Sequence, residues 1–324
     1  RDLVRSRGLG DVYKRQGYYM KYFKTPGCFC LMYLFVYFFV SPLLQFAVQD
    51  RYLFMIVFYL VLLGLGIGYL KIGKEDVKAR LHLKPLRPAA ALLSILLAFT
   101  VLPFISLINN VSQLIFRDFI TSSVSTASQN PWLSVLALSI LPGIVEEVLF
   151  RGVIYSGLRK ARPIKGILLT ALFFGIAHMN FNQFSYAFVL GLVLGLLLEA
   201  SDSIYSCMLL HATFNGVSVI TSIIYGLIGN SSLMTQTVST AQRLQAIAVL
   251  VPVSIAFLAL SVLILIAISR LCGRSGYLKT WLDRDIRQSW PNEKAAGISY
   301  YAALIISFGY AVLLEFVSYA SSCL

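Results

Sequence analysis

Long apolar stretches alternate with short polar stretches along most of the chain. Several approach or exceed the roughly 20 residues that a helix needs to cross a bilayer. They cover residues 29–48, 52–70, 89–109, 132–158, 165–182, 184–200, 203–226, 245–269 and 298–320. The fifth and sixth stretches follow each other so closely that their boundary stays open. The pattern therefore predicts an all-α membrane protein, a polytopic bundle of eight or nine transmembrane helices.

The polar stretches between these segments differ in charge. Residues 71–88, 159–165 and 270–296 are rich in lysine and arginine, whereas the intervening stretches carry only Arg51, Arg117 and Arg243. Basic residues accumulate in the cytoplasmic loops of membrane proteins. We therefore expect the three rich loops and the N-terminus to be cytoplasmic.

Composition supports a membrane protein and adds a caution about charge. The chain is 58% hydrophobic and 13% charged, against about 45–50% and 25% in soluble domains. Residues 1–16 hold five of the 27 basic residues and resemble a translated sequencing adapter, so we expect a non-native tail there. The hydrophobic composition predicts a lipid bilayer as partner. Nucleic-acid binding is not predicted, because the remaining basic residues are spread over separate loops.

The segments group into four parts along the chain. After the tail at 1–16, residues 17–130 form N-terminal transmembrane helices, 131–226 a catalytic core, and 227–324 C-terminal helices with the basic linker 270–296. Residues 110–131 are polar, and we expect an extracytoplasmic loop with a short interfacial helix. In the linker we expect an amphipathic surface helix around Trp281 and Trp290.

Three charged residues lie inside one apolar segment. Glu146, Glu147 and Arg151 fall within 132–158, where a central arginine alone costs about 2.5–3.5 kcal/mol. Glu147 and Arg151 are four apart, so they share a helix face and can pair. Glu146 lies about 100° round the helix and is predicted to lack a local partner, which suits a general base. The alternative is a purely structural ion pair.

Two histidines and an asparagine share the depth of this charged cluster. Glu146, His178 and Asn215 each lie 13 residues from the charged residue that marks the cytoplasmic edge of their segment, and His211 lies nine from it. At about 1.5 Å per residue, three of the four are roughly 20 Å deep. Each alone could simply bridge helices. Their common depth favours one site, which we expect to open toward the cytoplasmic side.

The order and spacing of these residues carry a family resemblance. Glu-Glu-x-x-x-Arg at 146–151, Phe-x-x-x-His at 174–178 and His-x-x-x-Asn at 211–215 follow one another on consecutive segments. Together they resemble the CPBP family of CAAX-protease and bacteriocin-processing enzymes, also called Abi proteins, over about residues 131–226. The resemblance implies an intramembrane endopeptidase in a bacterial cell membrane. Its partner would be a peptide or protein substrate at the membrane.

The resemblance also implies residue roles. By motif position, Glu146 and His178 would hold and activate a water molecule. His211 and Asn215 would donate to the oxyanion of the tetrahedral intermediate. The supporting residues would be Glu147, Arg151 and Phe174.

Three other interpretations stay open. Glu146, His178 and His211 form a possible zinc set with an open water position, but HExxH is absent and asparagine is a poor zinc ligand, so we favour no cofactor. A non-catalytic membrane scaffold or bacteriocin-immunity protein could retain the same fold. A small-solute carrier could use the buried charges as a relay, although such a carrier would be expected to show a repeated half, and none is evident.

Overall fold

The computed structural model describes residues 25–118, 121–159, 162–230, 238–281, 283, 285 and 296–321, without the side chains of 122 and 123. These residues contain helices and no strand, which confirms the predicted all-α class. Within this described part of the chain, eight helices are long and apolar enough to cross a membrane, and another apolar helix, α5, is shorter. The helices are α1 Pro26–Ala47, α2 Arg51–Ile72, α3 Pro88–Ser112, α4 Pro131–Leu158, α5 Pro163–Ile176, α6 Phe181–Ser201, α7 Ile204–Leu227, α8 Thr240–Leu271 and α9 Ile298–Ala320.

Helix starts follow local sequence signals. Proline occupies an initial position of α1, α3, α4 and α5, where its missing N–H is not needed. Polar side chains cap other helices. Asp50 accepts from Leu53 N at the start of α2, and Ser239 with Gln242 forms a capping box at the start of α8. These caps satisfy backbone donors that have no partner within the helix.

The stretch predicted as a span over 165–182 is not one helix. Helix α5 ends at Ile176, Met179 adopts a left-handed φ of +59°, and Asn180 accepts from Gln183 N to start α6. At 14 residues, α5 is about 21 Å long, less than a bilayer core of about 30 Å. The prediction missed this end because the apolar residues continue into α6, and hydropathy does not register the left-handed turn at Met179. His178 therefore lies in a turn inside the bundle.

The two polar stretches contain short helices. Thr121–Val124 and a 3-10 turn at Ala127–Gln129 lie between α3 and α4. In the basic linker, the structure places a short helix at Ser275–Thr280. Trp281 is buried and so does not lie on an exposed apolar face as expected, and Trp290 is outside the described residues, as is the tail 1–16.

Helix α4 is central and irregular. More than half of α4 and α6 is buried, whereas α8 and α9 are mostly exposed. Exposed apolar side chains such as Phe46, Leu263 and Ile305 face outward, as an integral multi-pass membrane protein requires. Within α4, wide π-type turns span Leu136–Ile140 and Val148–Tyr155. Such turns are frequent at functional sites, and the Glu146–Glu147 pair lies between these two.

Candidate active site

Glu147 is the centre of a buried ionic chain. Its Oε1 accepts from Arg151 Nη1 at 3.0 Å and lies 2.7 Å from His211 Nδ1 on α7. Arg151 also donates to the Gly191 carbonyl at 3.2 Å. The ion pair expected from the i, i+4 spacing is present, and it extends to a histidine that the spacing could not reveal. All three side chains are almost fully buried.

Glu146 points to the other side of this chain. Its Oε1 accepts a hydrogen bond from the Tyr59 hydroxyl at 3.0 Å, and its Oε2 lies 3.8 Å from His211 Nε2. Glu146 was predicted to lack a local partner, and its hydrogen-bond partner Tyr59 indeed comes from α2, which helical geometry within α4 could not reveal. At 3.8 Å, His211 Nε2 is too far from Glu146 Oε2 for a direct hydrogen bond, so these two polar atoms are close neighbours without being bonded to each other.

His178 is held by a backbone carbonyl. Its Nδ1 lies 2.8 Å from the Phe174 oxygen. A carbonyl can only accept, so Nδ1 carries the hydrogen, and Nε2 is the acceptor of the neutral ring. The side chain thereby satisfies a carbonyl at the C-terminus of α5, where helix carbonyls lack backbone partners.

Phe174 connects the polar groups of the site. Its ring is edge-on to His178 at 5.2 Å and to His211 at 5.8 Å between centroids. The Arg151 guanidinium lies 4.7 Å from the same ring centroid, within the range of a cation–π contact. One aromatic ring therefore fixes the orientation of two imidazoles and one guanidinium.

Helix α7 is held close to α4 beside the site. A Cβ at Gly143 would lie 2.8 Å from the Ala212 nitrogen, so only glycine permits this approach. Ser139 also donates to the Ala212 carbonyl at 2.8 Å. This contact places His211 and Asn215 opposite Glu146. Among the described residues, none hydrogen-bonds to the Asn215 side chain.

Four predicted site residues line one cavity of about 420 Å³. They are Glu146, His178, His211 and Asn215, with Phe174 at the wall, whereas Glu147 and Arg151 lie outside the lining. Part of the lining consists of Arg51, Gln113, Asp118 and Thr121, which are at the end of the bundle away from the basic loops. The expectation that the cavity opens toward the basic loops is therefore wrong. The sequence already pointed to this result, because a depth of roughly 20 Å from the basic end places the site nearer the far side of a bilayer core of about 30 Å.

The donor set does not form a compact metal cluster. In the part of the chain that the structure describes, no three His, Cys, Asp or Glu side chains form a group that could hold a metal ion. The Nδ1 atoms of His178 and His211 are engaged with Phe174 and Glu147. Only the two Nε2 atoms and Glu146 are left as potential ligands.

Comparison with known families adds an independent observation. Residues 128–217 match the family model described as type II CAAX prenyl endopeptidase Rce1-like. The predicted family is therefore confirmed over this segment. The family supports a hydrolase that cleaves peptide bonds in a membrane setting. Comparisons with curated proteins and with solved structures gave no match.

A second buried network, near the basic loops, was not predicted. Glu199 on α6 accepts from the Tyr155 hydroxyl at 2.5 Å and lies 2.7 Å from Arg159 Nε. Arg274 from the linker reaches the same carboxylate at 3.4 Å. Only the three-dimensional packing brings these residues together, since they come from α4, α6 and the linker.

The third histidine belongs to the same end of the bundle. His82 Nδ1 lies 2.7 Å from Asp202 Oδ1, and Lys84 Nζ lies 2.5 Å from Oδ2. Burial alone would raise the pKa of Asp202, but these hydrogen bonds and the nearby Arg274 charge lower that pKa below its ordinary value of 3.8. Asp202 thus ties the loop after α2 to the turn between α6 and α7.

Proposed function

We propose that this protein is an intramembrane endopeptidase in which Glu146 and His178 activate the attacking water. The observation that carries the proposal is the convergence of Glu146, His178, His211 and Asn215 on one cavity. The match of residues 128–217 to a family of CAAX endopeptidases supports the reaction class. The substrate is then a peptide segment associated with the membrane.

The proposed chemistry begins with proton transfer from water. Glu146 accepts the proton, with Tyr59 holding the other carboxylate oxygen, and the neutral His178 ring offers Nε2 to the same water. The resulting hydroxide attacks the carbonyl carbon of the substrate. A general base of this kind contributes about 10²–10⁴ to the rate.

The oxyanion is assigned to two donors on α7. Asn215 has an amide N–H that no described residue occupies. His211 can donate from Nε2 when both ring nitrogens carry hydrogen, and its carboxylate neighbours Glu147 and Glu146 are the partners that such a cation requires. Collapse of the intermediate returns the proton from Glu146 to the leaving amine.

Chelation and substitution together test this mechanism. The assay uses purified protein in detergent and a quenched fluorescent peptide ending in a prenylated cysteine and three further residues. The metal-free mechanism predicts unchanged activity after thorough chelation. It also predicts a loss of about 10²–10³ in turnover for Asn215→Ala, as for the removal of one oxyanion donor.

A zinc enzyme predicts a different set of results. Chelation would abolish activity, added zinc would restore it, and Asn215→Ala would be mild compared with removal of either His178 or His211. Metal content measured on the active protein beside these rates separates the two mechanisms. A folded protein that cleaves no peptide under any condition would favour the scaffold or immunity function.

A further inference from the structure

The loops that are rich in basic residues lie together at one end of the bundle. Arg80 donates to the Ser156 carbonyl at 2.7 Å, which joins the loop after α2 to the end of α4. Arg274 contacts both Glu199 and Asp202. These contacts bring the ends of α2, α4, α6 and α8 into one layer. The positive charge found in separate stretches of sequence is therefore concentrated on one face.

The opposite end is held by its own contacts. Arg117 Nη1 donates to Ser318 near the end of α9 at 3.0 Å, and Tyr52 at the start of α2 donates to the Thr126 carbonyl at 3.2 Å. Arg243 at the start of α8 hydrogen-bonds to Gln113 at the end of α3. This end carries few basic residues, and the lining of the cavity extends to it.

Buried side chains fill the space between the site and the basic end. Glu147 and Arg151 are 0% and 1% exposed, and they lie directly behind Glu146 and His211. One turn of α4 further on, Tyr155 is 1% exposed and bonded to Glu199. A peptide that entered from the basic end would have to break both ionic layers, and leaving one partner of a buried pair uncompensated costs about 3–5 kcal/mol.

The wall toward the other end carries side-chain amides. Asn109 on α3 and Gln113 directly after it, with Asn182 and Gln183 on α6, line the cavity. Asn182 Nδ2 donates to Asn109 Oδ1 at 3.0 Å. An amide both donates and accepts. Each of the four already bonds to another side chain, but the buried Asn182 Oδ1 has no hydrogen-bond partner among the described residues and can accept from a peptide N–H. We name these four residues the amide wall.

We infer that the substrate is a peptide segment that enters from the end opposite the basic loops, along the amide wall. Because basic loops lie on the cytoplasmic side of membrane proteins, the substrate approaches from the extracytoplasmic side. The inference rests on the proposed function. It narrows that function to exported polypeptides or peptides that reach the outer face of the membrane.

Thiol labelling establishes which end faces outward. Single cysteines are introduced at Asp118, beside the cavity mouth, and at Lys78 in a basic loop, both exposed, after replacement of the native cysteines. Intact cells are treated with a membrane-impermeant maleimide. We expect Asp118→Cys to be labelled and Lys78→Cys to react only after the cells are opened. Reaction of Lys78→Cys alone in intact cells would overturn the inference.

Cleavage from one side then tests entry itself. The protein is reconstituted in sealed vesicles, its orientation is read from the same two cysteines, and a charged, impermeant quenched peptide is added outside. We expect cleavage in proportion to the fraction of molecules with Asp118 outward, and a several-fold increase in KM when Asn109 is changed to Leu. Cleavage that follows the Lys78-outward fraction would refute entry from this end. Failure to cleave even in detergent would instead remove the protease assignment, and this inference with it.

Discussion

The Tyr59 hydroxyl donates a hydrogen bond to Glu146 Oε1 at 3.0 Å across a separation of 87 positions in the chain. Tyr59 lies on α2, outside the segment 128–217 that matches the endopeptidase family. The proposed base is therefore oriented by a helix that the family segment does not include. An isolated segment 128–217 would lack this hydrogen bond.

Changing Tyr59 to Phe should lower turnover without unfolding the protein. The ring keeps its packing, while a hydrogen bond to a charged group, worth about 1.5–3 kcal/mol, is lost. We expect kcat to fall by about tenfold or more, with little change in KM. Steady-state kinetics on the purified variant measure both parameters.

Tyr186→Phe is the matched control for Tyr59→Phe. Tyr186 lines the same cavity but is not bonded to Glu146, so its hydroxyl should matter much less to kcat. Equal losses in the two variants would show that Tyr59 contributes only to the shape of the cavity.

Glu146 and Arg151 should differ in what their loss affects. Glu146→Gln keeps the shape and removes the proposed base, so activity should fall by about 10²–10⁴ while the yield of folded protein is maintained. Arg151→Ala removes the permanent cation beside the buried Glu147, leaving only His211 as its partner, and should cost about 3–5 kcal/mol of stability. Thermal unfolding and peptide cleavage are measured on both variants. Parallel losses of stability and activity in both would contradict separate roles.

Gly143→Ala should disturb the site by moving a helix. The new Cβ would lie 2.8 Å from the Ala212 nitrogen, so α7 must shift away from α4 and carry His211 with it. A displacement of about 1 Å in an active site can cost on the order of 10² in rate. Gly64→Ala on α2 is the control, since nothing lies within 4 Å of its Cβ. Full activity in Gly143→Ala would show that the close approach is not required.

Asp202→Asn should destabilise the protein in a pH-dependent way. The pKa of Asp202 is lowered in the folded state, so its contribution is present above the ordinary carboxyl pKa and is lost as the pH falls toward the folded-state value. We expect a lower unfolding temperature than wild type at pH 7 and a smaller difference below about pH 4.

The exposed Asp285 provides the control for that measurement. Its side chain lies on the surface of the linker, so Asp285→Asn should leave the unfolding temperature unchanged at both pH values. A difference between Asp202→Asn and wild type that stays constant from pH 7 to pH 3 would mean that the carboxylate charge is not what stabilises this turn.

Much of the fold could be predicted from the sequence, because the length of an apolar segment and its helical periodicity are local properties. The sequence predicted the helical class, the Glu147–Arg151 pair, and a shared depth for Glu146, His178 and Asn215 with His211 about one turn shallower. It could not predict Tyr59, because hydrogen bonding between α2 and α4 depends on packing. It also missed the end of α5, where the turn at Met179 and Asn180 is set by backbone conformation rather than by hydropathy.

The direction of the cavity shows a different limit. The basic loops predicted which end of the bundle is cytoplasmic, and the depth counted from that end placed the site closer to the opposite end. The expected opening followed the charge and disregarded the depth. Only the packed side chains of Glu147, Arg151 and Tyr155 show that the nearer route to the basic loops is filled.

The wide turns of α4 set a limit on how this helix can be exchanged with those of relatives. A π-type turn contains one more residue than the same rise of α-helix, so the turn at Val148–Tyr155 absorbs an insertion without interrupting the helix. Deletion of one residue there would restore regular helix and leave the segments on either side facing nearly the same way, whereas the same deletion in regular α-helix would rotate everything beyond it by about 100°. Chimeras and alignments across this region must therefore allow a one-residue gap inside a continuous helix.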